Sequence, residues 1–176
     1  VDGGGVIKLA TTTALGPANV ETNGGGVIGL TTASGDFTRP LDSGTADGTI
    51  NMNFASGGFA AYEVDRNVNF YGDGRQITWN TPFVGNGEPF VMSHPTADAT
   101  ITLVNPIDIE RGGSAAGQPR TFLVHDGSAD IDGRLQGDIV ATPNFDTYSV
   151  EKTGDGTLDI AGTSNYSGQT LVQAGT

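Results

Sequence analysis

Gly3-Gly4-Gly5-Val6-Ile7-Lys8-Leu9 returns almost letter for letter as Gly24-Gly25-Gly26-Val27-Ile28-Gly29-Leu30, a period of about 21 residues. Repeats of this length mark chains in which each unit cannot bury its apolar face alone and stacks on the next. Further along, the letters change but the rhythm persists. Thr49–Phe54, Val68-Asn69-Phe70, Gln76–Trp79, Thr100–Leu103, Asp130-Ile131-Asp132 and Thr157–Ile160 alternate apolar with polar residues, the pattern of short strands with one buried face. Gly57-Gly58, Gly72-Asp73-Gly74, Gly85-Asn86-Gly87, Gly112-Gly113, Asp126-Gly127 and Gly154-Asp155-Gly156 stand between them as turns. Strands this short, broken by Gly, Asn and Asp, suit a solenoid better than a hairpin sheet, whose strands run longer. The expectation is an all-β chain: a right-handed parallel β-solenoid (β-helix) of about eight coils of roughly 22 residues, near 40 Å long at about 4.8 Å per rung. Val, Ile, Leu and Phe are expected inward, with Thr, Asn and Asp outward. A β-sandwich module is the rival fold, and antiparallel pairing would mark it.

Composition narrows the function. Of 176 residues, 28 are Gly and 8 Pro, about a fifth of the chain, so long helices are poorly supported. Eight Lys plus Arg against twenty Asp plus Glu leave a net charge of −12, which repels nucleic acid and anionic membranes but suits cations and solubility. With no cysteine, disulfides, Cys-ligated metals and thiol catalysis are excluded. No apolar run reaches the roughly 18 residues of a membrane span, so no membrane insertion is expected of this segment. The start, Val1-Asp2-Gly3, has neither Met nor a basic leader and reads as a mature or excised segment.

Near the end stands Lys152-Thr153-Gly154-Asp155-Gly156-Thr157-Leu158-Asp159-Ile160-Ala161-Gly162, followed by Asn165-Tyr166-Ser167-Gly168-Gln169-Thr170-Leu171-Val172-Gln173-Ala174-Gly175-Thr176. This stretch resembles the autotransporter-associated β-strand repeat, or passenger-associated transport repeat, of bacterial surface proteins. That family's pattern runs K-T-G-x-G-T-L-x-L-x-G and then N-x-Y-[ST]-G-x-T-x-V-x-x-G-T. Here Asn165 adjoins Tyr166 with no spacer. Ala14-Leu15-Gly16 and Val20–Gly25 resemble the segment that follows the repeat's terminal Ala-Gly-Thr. The resemblance implies an extracellular or cell-surface location and a structural role, a rigid rod for adhesion, cohesion or matrix formation. Joining Thr176 to Val1 would continue the pattern, so residues 1–176 read as a single solenoid segment, one unit of a longer tandem array or a filament. Self-association head-to-tail is expected, with cell-surface or matrix glycans as further partners.

Nothing in the sequence marks an enzyme. His94 and His125 lie in turns without ligand spacing, and there is no G-x-S-x-G nucleophile elbow. Asp130 and Asp132, two apart on a strand, would share a face about 6–7 Å apart, near an inverting glycosidase's carboxylate spacing, but ordinary solvation of an outer face explains them better. A glycan-binding or polysaccharide-degrading β-helix is the alternative. Trp79, Phe83, Phe90, Tyr62 and Tyr71 could form its platform, though core packing is the commoner use. Asp73, Asp126, Asp138 and Asp155, in Gly-flanked turns, are weak calcium candidates that match no EF-hand, and no other cofactor is expected. Asn165-Tyr166-Ser167 has the form of a glycosylation sequon and carries little meaning in a bacterial protein.

Overall fold

The structure, a computed structural model, describes residues 4–52, 55–80, 82–109, 119–141 and 148–176. The Gly112-Gly113 turn, Val1-Asp2-Gly3 and Asn53-Phe54 lie outside these residues. The fold is all-β, a parallel β-solenoid. One seven-stranded sheet runs its length: β1 (Val6–Lys8), β3 (Gly26–Leu30), β5 (Gly57–Ala61), β8 (Phe90–Met92), β11 (Arg120–Val124), β14 (Val150–Thr153) and β16 (Thr170–Val172). The sequence repeat is this sheet's register, since Val6, Ile7 and Lys8 face Val27, Ile28 and Gly29.

Coil length is read from the same ladder. The first step, from Val6 to its partner Val27, and the last, from Val150 to Thr170, are short. The four between them, Gly26 to Gly57, Gly57 to Phe90, Phe90 to Phe122 and Arg120 to Val150, are each about half as long again. The coils are therefore fewer and longer than expected, and only the two end coils have the expected perimeter. Seven rungs about 4.8 Å apart span roughly 29 Å. The connections between these rungs, in long and short coils alike, carry further strands. These form a four-stranded sheet of β6 (Arg66–Val68), β9 (Ile101–Leu103), β12 (Gly133–Leu135) and β15 (Leu158–Ile160), and a three-stranded one of β7 (Ile77–Thr78), β10 (Ile107–Asp108) and β13 (Ile139–Val140). A last pair joins β2 (Val20–Glu21) to β4 (Ile50–Asn51). Among the described residues every strand pair is parallel, and the isolated bridge Ala61–Ala99 is antiparallel, so the sandwich topology is ruled out.

Two local expectations are corrected. Gly57-Gly58 is no turn but the start of β5, buried on both faces. A Cβ on Gly58 would fall 1.7 Å from the Val91 carbonyl oxygen, so glycine here lets two backbones approach rather than bend. Asp130–Asp132 is not a strand: the chain bends there and β12 begins at Gly133.

The core lies between the sheets. Ile28, Phe59, Met92 and Val124 form one inward ladder, all buried. The wide central coils are filled by aromatics: Trp79 meets Phe83 and Phe122 edge-on at 5.5 and 5.3 Å, and Phe83 packs on Phe90 at 5.0 Å. Each buried ring contributes roughly 1.5–3 kcal/mol by leaving water, plus its ring contacts. The expected sorting holds for most of the apolar residues, Ile7, Val64, Ile160 and Val172 being exposed, but fails for several polar ones. Asn105 is buried, accepting the Phe70 N–H at 2.7 Å and donating to the Phe70 and Arg75 carbonyls at 3.1 and 2.8 Å, which satisfies a corner in which side-chain atoms replace a ladder. Arg120 is fully buried on the inward face of β11. Its guanidinium carbon stands 4.3 Å from the Tyr148 ring centre, its Nε donates to the Ile109 carbonyl and its Nη1 to Asn86.

Candidate functional site

The densest group of polar side chains lies at the corner that follows the seven-stranded sheet, where coils turn from β8, β11 and β14 toward β9, β12 and β15. Asp132 is buried there. Its Oδ1 accepts the Gly127 N–H at 2.7 Å and the Ser93 hydroxyl at 3.5 Å, while its Oδ2 accepts the Thr157 N–H at 2.9 Å. One carboxylate thus ties three successive coils through two turn amides and a hydroxyl. Ser93 takes a positive φ of 67°, a cost the same corner holds in place. Asp130, by contrast, is exposed, so the two carboxylates do not share an outer face as a hydrolytic pair would. The alternation of Asp130-Ile131-Asp132 concealed this, because nothing in the letters says that Asp132 turns inward.

Both histidines border this corner. The His94 Nδ1 meets the Thr96 hydroxyl at 2.8 Å and accepts its N–H at 3.2 Å; that hydroxyl also meets the Tyr62 hydroxyl at 3.0 Å, and the Lys8 ammonium lies 3.5 Å above the Tyr62 ring. Burial lowers the pKa of His94, with Lys8 adding to the effect, and burial and then His94 lower that of His125, so both are neutral at pH 7. The buried Ser93 hydroxyl leads to Asp132 and the His94 ring to Thr96, an arrangement that binds coils together and does not form a nucleophile-base relay.

The calcium candidates fall in separate places. Asp73 is held by Arg75 at 2.6 Å, which lowers its pKa, and Asp138 accepts the Thr163 N–H at 2.8 Å. Asp126 and Asp155 belong to successive turns of the Asp132 corner, and both act on Lys152 electrostatically. Among the described residues no three acidic or histidine side chains gather as metal ligands would. The aromatic residues take the commoner role of core packing: Trp79, Phe83, Phe90 and Tyr62 are buried and Tyr71 is half-buried beneath Arg75.

The last coil gives its motif letters physical roles. Lys152 points inward from β14, opposite Phe122 on one side and Val172 on the other, and is buried. Its ammonium donates to the carbonyls of Gly154, at 2.5 Å, and Ala174, at 2.7 Å, and so closes two successive corners. Burial lowers its pKa, against the opposing pull of Asp155, Asp132 and Asp126. Gly154 has a φ of 77°, and a Cβ there would lie 2.3 Å from the Val124 carbonyl oxygen, so the motif glycine is required twice over. The Thr157 hydroxyl meets that of Thr176 at 3.0 Å, and the Leu158 N–H reaches the Thr176 carbonyl at 2.8 Å, repeating the corner one rung on.

No curated protein and no solved structure matches the chain. A family model does match one coil: residues 150–176, built on Lys152, Gly154 and Thr157, match the passenger-associated-transport-repeat.

Proposed function

We propose that the chain is a structural segment of a bacterial surface or secreted passenger protein, and that its product is a stiff rod which spaces, presents or coheres cells or matrix. The observation that carries this reading is the unbroken seven-stranded parallel sheet that ends in a passenger-associated-transport-repeat coil. Each inner rung is bonded to a rung on either side, so bending the rod means breaking ladders on one side of it. The polar side chains that do converge, Asp132, Lys152 and Asn105, spend their hydrogen bonds on backbone groups of neighbouring coils. The surplus of acidic over basic residues keeps rods soluble and apart. Antibody raised against the 176-residue chain should label intact cells of the source bacterium, and deleting the encoding segment should reduce cell cohesion or surface attachment. Label found only in lysed cells, or hydrolysis of a polysaccharide panel by the purified chain, would refute the reading.

A further inference from the structure

The outer face of the seven-stranded sheet carries a small apolar core of its own. Val27, Ala60 and Val91 alternate with the inward Ile28, Phe59 and Met92, so they leave the sheet on the side away from the main core, yet all three are buried. Tyr62, which follows β5, and Ala97, which follows β8, pack into this cluster and are themselves only 2% exposed. Pro95, Thr96 and Asp98 around Ala97 face water, so residues 94–98 form a short flap laid on the sheet by one buried methyl group. Polar ties hold its edges: the Asp98 Oδ1 accepts the Glu63 N–H at 2.6 Å, the Ala97 carbonyl accepts the Ser128 N–H at 2.9 Å, and the Ala97 N–H closes a turn on the His94 carbonyl at 2.7 Å.

One further tie depends on a proton. An amide N–H can only donate, so the His94 Nδ1 that accepts the Thr96 N–H carries no proton of its own. The Thr96 hydroxyl, at 2.8 Å, therefore donates to the same nitrogen, and its oxygen is left to accept the Tyr62 hydroxyl at 3.0 Å. A proton on Nδ1 would set one N–H against another and force that hydroxyl to turn round. The new charge also lands among cations: Lys8, over the Tyr62 ring, acts on His94, and His94 acts in turn on His125 in the coil that follows. Of the acids on neighbouring elements, Asp98 and Glu63 already hold the Glu63 and Thr32 amides, and Asp126 acts on Lys152. We propose that residues 94–98 are an acid-released flap: a proton on His94 frees them from the sheet and bares Tyr62, Ala60 and Val91. This flank of the sheet is then polar in neutral surroundings and apolar in acid. The inference goes beyond the reading of the chain as a rod and draws on the outer face of the sheet alone.

Amide hydrogen exchange on the whole chain at pH 7 and pH 5, with each rate divided by that of an unstructured peptide at the same pH, tests this. A histidine with an ordinary pKa of about 6.5 in the open flap, and no proton in the closed one, supplies at most about 25-fold between these two conditions. The Glu63, Ala97 and Ser128 amides, bonded to or within the flap, should accordingly lose protection by about tenfold at pH 5, while the Ile107 amide, bonded to the Asp138 carbonyl, should change far less. In His94→Asn the side-chain oxygen stands in for Nδ1 and takes up no proton in this range, so the flap amides should stay protected at pH 5. Equal flap protection at the two pH values in the unmodified chain overturns the inference, as does a loss shared equally by Ile107 or one undiminished in His94→Asn. Should His94→Asn fail to fold, the unmodified chain decides: by NMR, the pH midpoint of flap opening and that of the His94 ring should coincide, and separate midpoints overturn the inference.

Discussion

Replacing Lys152 by Met tests whether the lysine of the repeat motif is a fastener or a filler. Met keeps most of the stem that packs between Phe122 and Val172 but removes the ammonium, leaving the carbonyls of Gly154 and Ala174 without their donor. A hydrogen bond from a charged group is worth about 1.5–3 kcal/mol, so the two lost bonds set a gross loss of about 3–6 kcal/mol. Relief from burying the ammonium offsets part of that, as its lowered pKa indicates, and a net loss of about 2–3 kcal/mol remains. In a solenoid this loss falls on the end coil before the whole rod, so a global melting curve would understate it. Amide hydrogen exchange resolves it locally. The Leu158 and Gln173 amides, bonded to Thr176 and Lys152, should exchange roughly 30- to 150-fold faster in the Met variant, while the Tyr62 amide, bonded to Leu30, should not change. Lys152→Ala should be worse than Met, since it also opens a void. Unchanged protection of the last coil in the Met variant would show that the lysine merely fills space and would refute the reasoning.

Three further outcomes follow from the same contacts. Gly58→Ala should yield little soluble protein because its methyl would meet the Val91 carbonyl, whereas Gly5→Ala, with open space around its Cβ, should fold normally; equal yields would refute the close-approach argument. His94 and His125 have pKa values lowered on folding, so the unfolded chain binds protons more readily, and their contribution to stability is complete above about pH 6.5 and is lost as the pH falls through that value. The urea midpoint should therefore drop between pH 7.5 and 5.5 by more in the native chain than in a double His→Gln variant; equal drops would refute the assignment. Millimolar calcium or EDTA should leave the urea midpoint unchanged, and a calcium-dependent rise that disappears on joint Asp126→Asn and Asp155→Asn substitution would instead place a cation at that corner.

Legibility followed coil length. The Gly-Gly-Gly-Val-Ile match spans the short first coil, and the Lys152–Thr176 motif the short last one, where little connecting chain separates one rung from the next. In the central coils the connections between sheets vary, the period stretches, and only the rungs remain alike. Their similarity is physical and not literal: Ile28, Phe59, Met92 and Val124 hold one inward position with four different shapes. A fixed period carried over from the end coils therefore produced too many coils. β5 was hidden for the opposite reason, since Gly57-Gly58 has the letters of a turn and the environment of a buried strand. The inward polar groups Asp132, Asn105 and Arg120 carried no sequence signal, because their partners are mostly backbone atoms of distant coils whose identity is not written in side chains.

Perimeter also accounts for where the aromatic residues sit. A long coil encloses a wider lumen than a short one, and close packing requires that the extra volume be filled. Phe59, Phe70, Trp79, Phe83, Phe90 and Phe122 supply that volume in the middle of the rod, in edge-to-face and tilted contacts. Toward the ends the positions in line with these rings are held by Ile7 and Ile28 on one side and by Lys152 and Val172 on the other. The rod is thus wide and strongly held at its centre and narrow at both ends, where single side chains such as Lys152 do the fastening.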